Sequence, residues 1–92
     1  MEFTHTRFGK CVLGDINQGQ LETWQDDVKS STDVPMAVFY GKCVRAAVKA
    51  KILIEPVLTD EQIAAAKPGL VHWLTNCIAG EIAEASRIDP LS

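Results

Sequence analysis

Two histidines, His5 and His72, and three cysteines, Cys11, Cys43 and Cys77, are the side chains best suited to hold a metal ion or attack a substrate. A zinc site draws its ligands from short spacings such as C-x2-C or H-x3-H. No such spacing occurs, so neither a metal nor a cofactor is expected. A thiolate nucleophile needs a histidine beside it. His72 and Cys77 are five residues apart on one expected helix, a poor angle for contact. Cys43 and Cys77 fall on apolar stripes, where a thiol packs as a small inert group. No G-x-S-x-G elbow, P-loop or G-x-G-x-x-G turn is present. The carboxylates of Asp26 and Asp27 are adjacent and diverge around a helix. Asp60 and Glu61 sit in a first helical turn, where capping and the helix dipole account for them. No catalytic residue is expected, and the chain reads as non-enzymatic.

One charged feature remains. Lys42, Arg45 and Lys49, with Lys51 nearby, form a basic stripe that could follow phosphates along one helix face. The competing reading is a solvated face, or a face set against Glu22, Asp26 and Asp27 of the preceding helix. Four cations without interleaved aromatics make a poor nucleic-acid surface. The whole chain carries nine Lys and Arg against twelve Asp and Glu, a net charge of −3. Nucleic acid is therefore not the expected partner.

The elements that position these residues are legible from start and stop signals. Residues 2–13 favour extended structure and read as a β-hairpin, with Gly9-Lys10 as its turn. An isolated hairpin is marginal in water, so it must pack on helices or on another subunit. After Gly14-Asp15, Asn17 and Gln20 form a capping box, stapled by Ile16 and Leu21. They open a helix over 18–30 whose apolar face is Leu21, Trp24 and Val28.

Ser30 to Asp33 is a polar linker. Pro35 starts a helix over 35–51 with a wide apolar arc: Met36, Phe39, Tyr40, Cys43, Ala47 and Ala50, flanked by Val38, Val44 and Val48. That width predicts the central helix of the domain. Gly41 costs about 1 kcal/mol there relative to Ala, which implies close approach of another helix. Residues 52–58 are apolar but contain Pro56, as in an extended connection or edge strand. Thr59 and Gln62 repeat the capping box, with Leu58 and Ile63 as the staple, and open a short helix over 60–67. Pro68 begins the last helix, 68–87. Leu70, Trp73 or Leu74, Cys77, Ile78, Ile82 and Ala85 face inward there, and His72, Thr75, Asn76 and Glu84 outward. Ala79-Gly80 again implies close packing. A tail with Pro90 follows.

The result is a mainly α, α+β fold: a short N-terminal hairpin on about four helices, in one domain over residues 1–92. Ninety-two residues bury about 64% of the unfolded surface, enough for one core and not two. Hydrophobic residues at 47% and charged residues at 23% exclude a disordered chain. Three cysteines without a close pair fit a reducing cytoplasm. The start lacks the basic and apolar regions of a signal peptide, and no apolar run would span a membrane. Tryptophan is enriched at interface centres. A small domain with a wide apolar arc is therefore expected to self-associate. Trp24, Phe39, Tyr40, Trp73 and Ile82 are the candidate contacts for a partner or a second copy, each competing with an ordinary core role.

Several segments together carry a family likeness. They are Phe8-Gly9-Lys10-Cys11-Val12-Leu13-Gly14-Asp15-Ile16, Lys42 to Ala50, Leu58-Thr59-Asp60-Glu61-Gln62-Ile63, Pro68-Gly69-Leu70-Val71-His72-Trp73-Leu74, and Ile78 to Pro90. In this order the chain resembles the small tail assembly chaperones of long-tailed, siphovirus-like phages and prophages. The likeness is one of layout over most of the chain. It implies a non-enzymatic protein of the bacterial host cytoplasm. Such a protein binds the tape-measure and tail-tube proteins during assembly and leaves before the tail is finished. It carries no fixed binding residues across. The alternatives are a structural head–tail or tail-completion subunit, and a small nucleic-acid-binding regulator using the Lys42–Lys51 face.

Overall fold

A computed structural model describes residues 2–29, 34–55 and 57–86. The polar linker, Pro56 and the C-terminal tail with Pro90 lie outside the described residues. In chain order the elements are β1 (Glu2–His5), β2 (Gly9–Leu13), α1 (Gln18–Lys29), α2 (Met36–Lys49), β3 (Leu53–Glu55), α3 (Asp60–Ala65) and α4 (Pro68–Ala85). The three strands form an antiparallel sheet in the order β1-β2-β3. The fold is α+β and mainly α, and the apolar 52–58 segment supplies the third, edge strand.

The hairpin turn sits earlier than Gly9-Lys10. His5 pairs with Gly9, and Thr6, Arg7 and Phe8 form the loop. The chain leaves this loop through a left-handed residue, a conformation that glycine takes without a steric penalty. Gly9 takes that position, at φ +93°. Lys10 is thereby released into the ladder opposite Thr4, and its ammonium lies 3.6 Å from Glu2.

Both capping boxes form. Asn17 Oδ1 accepts from the Gln20 N–H at 2.9 Å, and Gln20 Oε1 accepts from the Asn17 N–H at 3.0 Å. Thr59 and Gln62 repeat the exchange at 3.2 and 2.9 Å. Gln20 does more than cap, because its amide also donates to the Ala50 carbonyl at 3.1 Å. That bond ties the start of α1 to the end of α2.

The end of α2 is a Schellman motif. The Lys51 N–H donates to the Val48 carbonyl at 3.1 Å and the Ile52 N–H to the Ala47 carbonyl at 2.9 Å. Ile52 and Ala47 are both buried in the core, the apolar contact that accompanies this turn. The left-handed position is Lys51, at φ 62°, where glycine is the favoured residue. Lys51→Gly is expected to raise stability by up to about 1 kcal/mol. In thermal unfolding this reads as a Tm increase of about 4–8 °C per kcal/mol.

Helix α2 is central, packing on α1, α4, α3 and β3. The main core gathers Cys11 and Leu13 of β2, Val44 and Ala47 of α2, Ile52, and Leu74 and Ile78 of α4. A satellite of Val28, Cys43 and Ala46 joins α1 to α2. Some expected stripe positions are corrected. Met36 and Val38 are exposed, Val38 on the open bank of the groove described below. Thr75 is buried, because its hydroxyl donates to the Val71 carbonyl at 2.9 Å and lies 3.3 Å from the Tyr40 carbonyl. Ala85 is exposed at the end of α4. Among the described residues nothing lies within 4 Å of where a Gly80 side chain would start, so Gly80 serves no close contact with the helices described.

Candidate functional site: a groove beside the central helix

Helices α2, α3 and the start of α4 surround an open groove of about 530 Å³. Small residues create it. Ala37 on α2 and Ala64 and Ala66 around α3 leave a trough where larger side chains would fill the space, and Gly41 and Gly69 line it with their own side-chain positions already taken by Arg45 and Phe8. Buried Ile63 and Val71 lie below them, and exposed Val38, Pro68 and His72 line the sides.

Three polar groups converge on this trough. The Tyr40 ring stacks on His72, with centroids 4.6 Å apart and planes inclined by 19°. Arg45 enters from one turn below Gly41. Its Nη1 lies 3.1 Å from where a Gly41 Cβ would stand. Gly41 therefore does not admit another helix, as the sequence implied. It leaves room for a guanidinium folded back along its own helix. Arg45 Nε lies 3.8 Å from Asp60 Oδ1, and the Asp60 side chain is 86% exposed. At that distance the pair is an ion pair without a hydrogen bond. Among the described residues, the Arg45 guanidinium makes no hydrogen bond and keeps its donors free.

Of the residues expected to bind a partner, Tyr40 lines this groove. Trp24 lies on the other side of α2, where its indole N–H donates to the Cys43 carbonyl at 3.1 Å. Phe39 packs beside it on the satellite cluster. Trp73 stacks with Phe8 and His5 under the hairpin loop, and Ile82 packs against the main core. All five are half-buried. Sequence reasoning missed Ala37 and Ala64 as groove formers. The available signal was the recurrence of alanine on α2 and around α3.

The basic stripe is partly assembled. Lys42, Arg45 and Lys49 line a second concavity, interleaved with Asp27 and Asp60. Lys49 Nζ lies 3.6 Å from Asp27 Oδ2, an oxygen that is buried and makes no hydrogen bond among the described residues. Lys51 stands apart at the helix end. Carboxylates thus accompany the cations, as in the reading that set this face against α1.

All three thiols are free and buried. Burial pushes the Cys11 thiol up to about 12, with neighbouring Cys77 as the second cause. It pushes Cys43 up to about 11 and raises Cys77 as well. The thiolate is the reactive form. At pH 8 a thiol with a pKa of about 12 is ionised to only about one part in ten thousand, against about one in ten for an unfolded cysteine near 9.0. Iodoacetamide is expected to alkylate Cys11 and Cys43 of the native protein about a hundredfold more slowly, or slower still, than in the protein unfolded in guanidinium, and Cys77 more slowly as well. A single fast-reacting thiol in the native state would contradict this. Among the described residues, no three His, Cys, Asp or Glu side chains gather as a metal site would require, and no helix is long and apolar enough to cross a membrane.

Comparison with protein families, with curated proteins and with solved structures finds no match to this chain.

Proposed function

We propose that this chain is a non-enzymatic protein-binding module that acts as a tail assembly chaperone of the siphovirus type. It would hold tape-measure and tail-tube proteins in the bacterial cytoplasm. The observation that carries the reading is the open apolar groove with Tyr40, Arg45 and His72 on its polar side. Covering the apolar face of a helix takes such a trough with a polar rim. The layout likeness described above supplies the identity of the partners.

The test is affinity purification of the tagged chain from its native host or a phage-producing lysate, with mass spectrometry of the eluate. The expected result is co-purification of a long helical protein and a tube subunit, with the chain absent from finished particles. Retention in purified particles would assign it to the structural subunits instead. Recovery of the chain alone would remove the chaperone reading.

A further inference from the structure

We propose that the groove between α2 and the α3–α4 corner seats one amphipathic helix of a partner protein, whose apolar stripe carries a carboxylate that pairs with Arg45. The inference rests on the protein-binding reading above and specifies where and by what chemistry it operates. The shape argues against two other kinds of ligand. A small-molecule pocket encloses most of its ligand, whereas this trough is open along a side bounded by exposed Val38, Ala64, Pro68 and His72. An added strand needs the free backbone groups of a sheet edge, and every bank of this trough is helix or helix end. A helix brings its backbone already satisfied and offers only side chains. The small side chains of Ala37 and Ala64 then leave space for its apolar side chains as knobs.

The charge of the occupant follows from Arg45. A guanidinium presents five N–H donors and favours a bidentate carboxylate. Here it lies over Gly41 with its donors free among the described residues, and its one carboxylate neighbour is 3.8 Å away and nearly fully exposed. That neighbour is easily exchanged for a carboxylate arriving with the helix. His72, stacked on Tyr40 and exposed, adds a hydrogen-bonding group on the same bank. The α2 glycine, unfavourable within a helix, then has a reason: it holds the guanidinium low in the trough.

The experiment uses the full chain, isotopically labelled for NMR, and three capped helical peptides. The peptides share a leucine–alanine stripe and differ at one stripe position, as Glu, Gln or Lys. The Glu peptide is expected to shift the amides of Val38, Gly41, Ala64 and His72, and to bind at least about tenfold more tightly than the Gln peptide. The Lys peptide is expected to bind more weakly still. Arg45→Gln should abolish the difference between Glu and Gln. Val38→Arg, at an exposed position, should block all three while leaving the spectrum folded. Equal binding of Glu and Gln, or shifts confined to another face, would overturn the proposal. So would sedimentation showing that two free chains already cover these residues. The two readings part cleanly. Peptide binding here without a helical partner in the eluate keeps the groove and removes the tail-assembly role. A helical partner retained by Val38→Arg and Arg45→Gln does the reverse.

Discussion

Leu74→Ala is expected to lower the unfolding free energy by about 3–5 kcal/mol, the upper range for a leucine truncated in a packed core. Leu74 is 0% exposed, at the meeting of α4, α2 and the sheet, with Ile78 one turn along and Ile52 and Leu13 in the same cluster. No side chain can swing in to fill the space, because these neighbours are themselves buried and belong to three different elements. A domain of this size has about 5–15 kcal/mol in total. The variant should therefore show a urea midpoint lowered by about a fifth or more, with the slope of the transition unchanged. Ile54→Ala is the control. Ile54 is equally large but 51% exposed on the edge strand, and its loss should stay within about 1 kcal/mol. Equal losses at the two sites would mean that the core lies elsewhere.

The contrast between Leu74 and Ile54 also marks where the sequence was informative. Short-range signals were legible because their physics is local. Asn17 with Gln20 and Thr59 with Gln62 cap their helices as their spacing requires, and Pro68 opens α4. The α2 arc was read as central because its apolar residues exceed what one neighbour could cover, and α2 does contact four elements. What the sequence hid was the depth of each position. Met36 and Val38 continue the apolar spacing but stay exposed, and spacing alone does not say how fully a neighbour covers a position. Thr75 looked outward by type and is buried because two carbonyls lie within reach of its hydroxyl. The groove was hidden for the same reason. Its makers are small residues, which signal nothing individually, and only the arrangement of α2, α3 and α4 turns their missing volume into a trough. Gly41 was rightly singled out as costly in a helix, but its neighbour is the Arg45 guanidinium four residues along.

Trp24→Ala is expected to release α1 while leaving the groove intact. Among the stronger packing contacts, α1 touches only α2, and a twelve-residue helix is marginal in water on its own. Its attachment is the satellite cluster of Val28, Cys43 and Ala46, covered by Trp24 and Phe39, with Trp24 also touching the main core, together with the Gln20 bond to Ala50 and the Asp27–Lys49 pair. Trp24 contributes both apolar area and a hydrogen bond to the Cys43 carbonyl, so truncation removes about 3–5 kcal/mol of attachment. Trp24→Phe separates the two. It keeps most of the ring area and loses the N–H, leaving the Cys43 carbonyl with its helical partner alone, at a cost of about 0.5–1.5 kcal/mol. Hydrogen exchange should report the difference by region. In Trp24→Ala, the amides of α1 should approach the unprotected rate while those of Val44, Leu74 and Ile78 keep most of their protection. The groove lies on the opposite side of α2, so its residues should hold their native chemical shifts. Uniform loss of protection across the chain would instead mean that α1 and the main core unfold as one unit. The satellite would then be an integral part of the fold that shapes the groove.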